Sequence, residues 1–155
     1  SVAQLVQSLE SEAVDILINN DYAGQAQGLH FYKTEPEAFL TAFQQNVMPV
    51  ISLTQACLKG MRKRKFGKII NIITSSVIDV PPTGYAVYAA TKAYIRQLSK
   101  SWSKEMARFN ITSNCILPDY MQTTFEPMED FQLEQMRNVH PLKELLKPEE
   151  VAEVV

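Results

Sequence analysis

Apolar residues along this chain alternate between two spacings. Val2, Leu5, Val6 and Leu9 recur at helical intervals, so the opening residues predict the end of an amphipathic helix lying on a sheet. Val14 to Asn19 is a short apolar run and predicts a strand. Thr34-Glu35-Pro36-Glu37 has the spacing of a capping box with proline in the first turn, which predicts a long helix from about Glu35 to Arg62, ended by Gly67. Inside it Pro49 has no N–H for the carbonyl of Gln45, so the helix should kink or open beside Asn46. Lys68 to Ile73 is a β-branched run that leads into Thr74-Ser75-Ser76, a strand ending in hydroxyls. After the turn signal Pro81-Pro82-Thr83-Gly84, Ala86 to Phe109 predicts a helix with apolar residues on more than one side, among them Ala90, Tyr94, Leu98 and Trp102. Strands alternating with helices argue for an α/β layered fold.

From Tyr120 to Lys147 the pattern changes, with Met121, Phe125, Met128, Phe131, Leu133 and Met136 scattered among acids and glutamines. Flexible thioethers and aromatics suit an adaptable apolar lobe, either over a ligand or over the lobe's own core. Composition excludes disorder: 46% of the 155 residues are apolar and 21% charged. A net charge of −2 gives no reason to expect nucleic acid as a partner. No apolar run approaches the roughly 18 residues of a spanning helix, so neither a membrane partner nor a location outside the cytoplasm is expected. Cys57 and Cys115 read as reduced thiols, and His30 and His140 are too far apart in sequence to suggest zinc. Arg62, Lys63, Arg64, Lys65 and Lys68 cluster at a helix end, where cations complement the helix dipole; docking of an acidic carrier protein is the sharper alternative.

The candidate chemistry lies in Tyr88-Ala89-Ala90-Thr91-Lys92. Four residues apart on a helix, the phenol and the ammonium share a face. A phenol with an ordinary pKa near 10 takes part in proton transfer at neutral pH when a neighbouring cation favours its ionised form, and Lys92 is placed to be that cation. The hydroxyls after the second strand fall close by, at a strand's carboxyl end, where open α/β sheets bind ligands.

On these residues the chain resembles the short-chain dehydrogenase/reductases, and among them the 3-oxoacyl-carrier-protein reductases. Asp15-Ile16-Leu17-Ile18-Asn19-Asn20 is similar to the family's fourth strand with its double asparagine, and Gly67 to Ile72 to its fifth. Asn46 stands at the place of the helix asparagine, Tyr88 to Lys92 match the signature, and Asn114 to Pro118 resemble the sixth strand and its exit. The resemblance implies a Rossmann-like doubly wound parallel sheet over residues 1–155, with 120–147 as a substrate lobe. It also implies an incomplete one, lacking the first βαβαβ half with its glycine turn and the last strand.

By the same resemblance the protein is an NAD(P)-dependent oxidoreductase that interconverts a carbonyl and a hydroxyl group. Tyr88 exchanges the proton, Lys92 lowers its pKa, Ser75 polarises the substrate oxygen, and Asn46 anchors a water that reprotonates Lys92. Ser75, thirteen residues before Tyr88, is preferred to Ser76, while Thr74 has the family's usual interval from Asn71. Asn20, Tyr88, Lys92, Pro118 and Thr123 are the expected contacts to NADP or NAD, and no metal is expected. The expected partners are a small carbonyl or alcohol substrate, with a carrier-bound acyl group as the narrower option, and further copies of the chain in a homodimer or homotetramer.

Two departures bear on these expectations. Asp21 and Tyr22 interrupt the family's Asn-Asn-Ala-Gly, and Asp119 replaces the glycine after Pro118. The alternative is a non-catalytic scaffold or regulatory subunit that no longer binds the nucleotide. A halohydrin-dehalogenase-like lyase, which carries arginine at the position of Lys92, fits less well.

Overall fold

The structure, a computed structural model, describes residues 1–9, 12–26, 28–121 and 130–155. It consists of two compact units, residues 1–116 and 117–155.

The first unit is built on a parallel sheet of three strands, β1 (Ile16–Asn19), β2 (Gly67–Ile72) and β3 (Ile111–Ile116), in the order β1-β2-β3. Helix α1 (Val2–Leu9) precedes β1 and packs on α3. Helices α2 (Pro36–Ala42) and α3 (Met48–Arg64) lie between β1 and β2, and α4 (Ala86–Met106) lies between β2 and β3. Parallel neighbours require crossovers of this kind, and here the crossovers are helical. Among the described residues no helix is long and apolar enough to cross a membrane.

One face of the sheet is closed by helices. Ile69 and Ile111 are buried with Cys57 and Met61 of α3, and Leu17, Trp102 and Met106 pack against them. Gly67, expected to end the long helix, instead opens β2, because Lys65 adopts the left-handed conformation at φ 54° and caps the helix. A side chain at Gly67 would meet Met61 Cγ at 2.6 Å, so the close helix-to-strand packing requires glycine there. The opposite face carries Ile16 and Ile18, 53% and 48% exposed.

The buried face also carries a polar ladder. Asn71, fully buried, accepts a hydrogen bond from Asn19 Nδ2 at 2.9 Å and donates to Ser99 Oγ at 3.2 Å and the Asn114 carbonyl at 3.3 Å. Ser99 and Ser113 continue it, oxygen to oxygen at 2.8 Å. One amide thus ties β1, β2, β3 and α4 together. Asn71→Leu keeps the volume and orphans buried polar partners, each of which costs about 1–3 kcal/mol. A loss of about 2–4 kcal/mol in urea denaturation is expected; a loss under about 0.5 kcal/mol would show the ladder to be energetically idle.

The start of α2 differs from the capping-box expectation. Proline at the first helical position forces Glu35 into an extended conformation at the N-cap, and no side-chain cap forms. Thr34 instead donates its hydroxyl to the carbonyls of Leu29 and His30. The basic cluster is partly tied down: Arg64 donates to the Val14 carbonyl at 2.6 Å and to Asp15 Oδ1 at 3.0 Å, and the Arg62 guanidinium lies 4.7 Å from the Phe109 ring centroid.

The second unit contains α5 (Asp130–Val139) and α6 (Pro148–Ala152). Met121 and Leu146 form a parallel bridge, and the Leu146 N–H donates to the Tyr120 carbonyl at 3.2 Å. At the foot of α6 the Glu150 carboxylate accepts the Lys147 N–H at 2.8 Å. Phe125 and Met128 of the expected substrate lobe lie outside the described residues.

Candidate active site

Three segments of the first unit converge at the carboxyl ends of β1 and β2: the loop after β1, the hydroxyl run after β2, and the first turns of α4. Tyr88 and Lys92 stand one turn apart on α4, as their spacing requires. Lys92 is 4% exposed, and its Nζ donates to the Ile72 carbonyl at the end of β2, 3.0 Å away. The ammonium lies 6.0 Å from the Tyr88 ring centroid and 5.4 Å from that of Tyr22.

A hydroxyl that meets Tyr88 is that of Thr74. Thr74 ends the run from β2, is buried, and also accepts the Ser76 N–H, so it caps a 3₁₀ turn over Ser75–Val77. Ser75, the preferred serine, begins that turn half-buried, and its carbonyl accepts the N–H groups of Ile78 and Asp79. Thr74 had a signal in the sequence, its interval of three from Asn71. The competing count back from Tyr88 favoured Ser75.

The electrostatics reverse one expectation. Burial lowers Lys92 from 10.5 to about 8, against a smaller opposing effect of Asp21. The Tyr88 phenol is not lowered by this neighbour. Its pKa is raised, first by burial and also by Tyr85, with the Thr74 hydrogen bond pulling the other way. The physical reason is dehydration, the largest influence on the phenol, while the ammonium stands 6.0 Å from its ring centroid.

Asn46 lies where the helix opens, and the opening is a π turn, Phe43–Val47, directly ahead of α3 with Pro49 in its first turn. Its side chain reaches the loop after β1: Oδ1 accepts the Ala23 N–H at 2.6 Å, and Nδ2 donates to the carbonyls of Ala23 at 3.2 Å and Ala42 at 3.1 Å. Asn46 is thus a buried clamp on the loop that carries Asp21 and Tyr22. Asn20 is exposed at the start of that loop. Pro118 belongs to the second unit and is buried there, and Thr123 lies outside the described residues.

Tyr22 is the contact that pattern reading missed. Its ring is edge-on to Tyr88, centroids 4.8 Å apart at 80°, and nothing local in the sequence signals that contact. A separate cleft of about 300 Å³, lined by Arg96, Ser99, Lys100 and Asn114 among others, touches neither Tyr88 nor Lys92.

An ammonium and a phenol side by side at the ends of parallel strands form a donor set for a ligand oxygen. Such a site can move a proton to or from an oxygen. The model of the short chain dehydrogenase family matches residues 1–132. The chain is 33% identical over 147 residues to the 3-oxoacyl-(acyl-carrier-protein) reductase FabG of Thermotoga maritima, covering 92% of this chain and 57% of that protein. It is 31% identical to the 3alpha-hydroxysteroid dehydrogenase of Mediterraneibacter gnavus, covering 97% and 60%. Among solved structures, a gluconate 5-dehydrogenase from Burkholderia cenocepacia in complex with NADP and tartrate matches with a TM-score of 0.87 at 26% identity, over 99% of this chain and 61% of that one. The chain therefore spans about three fifths of the length of these relatives.

Proposed function

Because the chain belongs to the short-chain dehydrogenase family, we propose that it serves an NAD(P)-dependent oxidoreductase that interconverts a carbonyl and a hydroxyl group, and that Tyr88, Lys92 and Thr74 handle the proton. The observation that carries this reading is a half-buried phenol bonded to a hydroxyl, one turn from a buried lysine, at the carboxyl ends of parallel strands. When bound, the nicotinamide nucleotide supplies or accepts the hydride.

Tyr88, its pKa raised by burial, holds its proton at neutral pH, which is the state needed to deliver it to a carbonyl oxygen. Lys92, lowered to about 8, exchanges its own proton near neutral pH and can restore the one that Tyr88 gives up. Thr74 orients the phenol, and Ser75, at the head of the adjoining turn, is the second hydroxyl available to the substrate oxygen. Asn46, whose side chain holds the backbone of Ala23 and Ala42, is the residue assigned to a relay water at the π turn. Asn20, Tyr88, Lys92, Pro118 and Thr123 are assigned to the nucleotide.

The named relatives act on carrier-bound acyl groups and on a steroid, so the proposal commits to the carbonyl/hydroxyl chemistry they share. Exposed Leu40, Met48 and Tyr94 on α2, α3 and α4 support assembly with further copies of the chain. Titration of the protein with NADPH and with NADH, followed by nicotinamide fluorescence, is expected to show saturable binding of at least one. Binding of neither would overturn the enzyme reading and leave the scaffold alternative.

A further inference from the structure

Tyr22 lies in the loop after β1 and has no part in the proposed chemistry, yet its half-buried ring meets both members of the acting pair. It stands edge-on to Tyr88, and Tyr85 sets a second ring against Tyr88 at 6.0 Å and 86°. Tyr88 is thus braced by two edge-to-face rings, the arrangement in which positive ring edges meet negative ring faces. Lys92 has one protein acceptor among the described residues, the Ile72 carbonyl, for three ammonium protons. A buried ammonium so sparsely bonded needs further compensation, and the electron-rich faces of Tyr22 and Tyr88 lie within range to give it. The loop is fastened at the next residue, where Asn46 grips both backbone groups of Ala23. Tyr22 is therefore presented by anchored backbone.

We infer that Tyr22 is a positioning residue of this site, whose ring braces Tyr88 and provides the π face on which the Lys92 ammonium rests. The inference builds on the reading of Tyr88 and Lys92 as the acting pair. Among the described residues, the titratable groups that face the pair are Tyr85 at the N-cap of α4 and Asp21 and Tyr22 from the loop after β1; the end of β2 contributes the neutral Ile72 carbonyl and Thr74 hydroxyl.

The test is a titration of Lys92 by NMR in protein with ¹⁵N-labelled lysine side chains, the signal assigned by its absence in Lys92→Arg, for wild type, Tyr22→Phe and Tyr22→Leu. Phenylalanine keeps ring and burial, so the midpoint stays near that of wild type. Leucine keeps most of the dehydration but loses the π face, so the midpoint falls by about half to one unit. The alkaline limb of the pH–rate profile of carbonyl reduction shifts down in Tyr22→Leu alone. Equal midpoints in all three proteins, or an equal fall in Tyr22→Phe, would overturn the inference. A midpoint that falls only in Tyr22→Leu, with no turnover in wild type, would uphold the contact and overturn the oxidoreductase reading instead.

Discussion

Tyr88→Phe is expected to lower the rate of carbonyl reduction about a thousandfold while leaving nucleotide binding within a few fold of wild type. A positioned acid or base contributes roughly 10² to 10⁴ in rate, and phenylalanine removes the only proton that the Tyr88 side chain can transfer. The ring remains, so the edge-to-face contacts with Tyr22 and Tyr85 survive. What is lost structurally is the hydrogen bond with Thr74, worth about 1 kcal/mol. The main effect should therefore fall on turnover, with a loss of no more than about 1 kcal/mol in urea denaturation. Residual activity above a tenth of wild type would remove Tyr88 from the mechanism.

Lys92→Met is expected to remove turnover and to raise stability. Transferring the ammonium from water into this site lowers its pKa from 10.5 to about 8, which corresponds to a cost of about 3 kcal/mol at neutral pH. Methionine has similar length and no charge; after loss of the bond to the Ile72 carbonyl, a net gain of about 1–3 kcal/mol remains. The sign with pH follows from proton counting. Between about 8 and 10.5 the unfolded chain binds the proton and the folded one does not, so wild-type stability rises with pH across that window. Below about 8 both states are protonated and the full cost persists. The advantage of Lys92→Met in urea denaturation is thus largest at pH 7 and shrinks toward pH 10. An advantage that grows with pH would mean that the folded protein holds the ammonium more strongly than water does. Retaining a destabilising lysine is the kind of local expense found where activity depends on it.

Resemblance supplied most of the first unit correctly because its signals are local. The β-branched run of β2, the helical spacing of α4 and the proline-led start of α2 each answer to backbone geometry within a few residues. Pro49 marked the place where the helix opens, although the opening took the form of a π turn just ahead of it. Gly67 was misread because the glycine that looks like a helix stop is needed for contact with Met61, and Lys65 makes the stop instead. Thr74 and Ser75 stand side by side at the head of the 3₁₀ turn, and residue counting does not contain the burial that sets Thr74 against the phenol.

The sequence by itself determined that Tyr88 and Lys92 share a helix face, that strands alternate with helices, and that hydroxyls close β2. These follow from the helical repeat and from runs of apolar residues, which neighbouring residues set. Only the tertiary structure decided what state the pair is in. Tyr22 meets the pair from another element on a loop that Asn46 holds, and burial lowers Lys92 and raises Tyr88, where spacing alone implied a lowered phenol. Charge is governed by how much water reaches a group, and the segments that keep water out are distant in sequence.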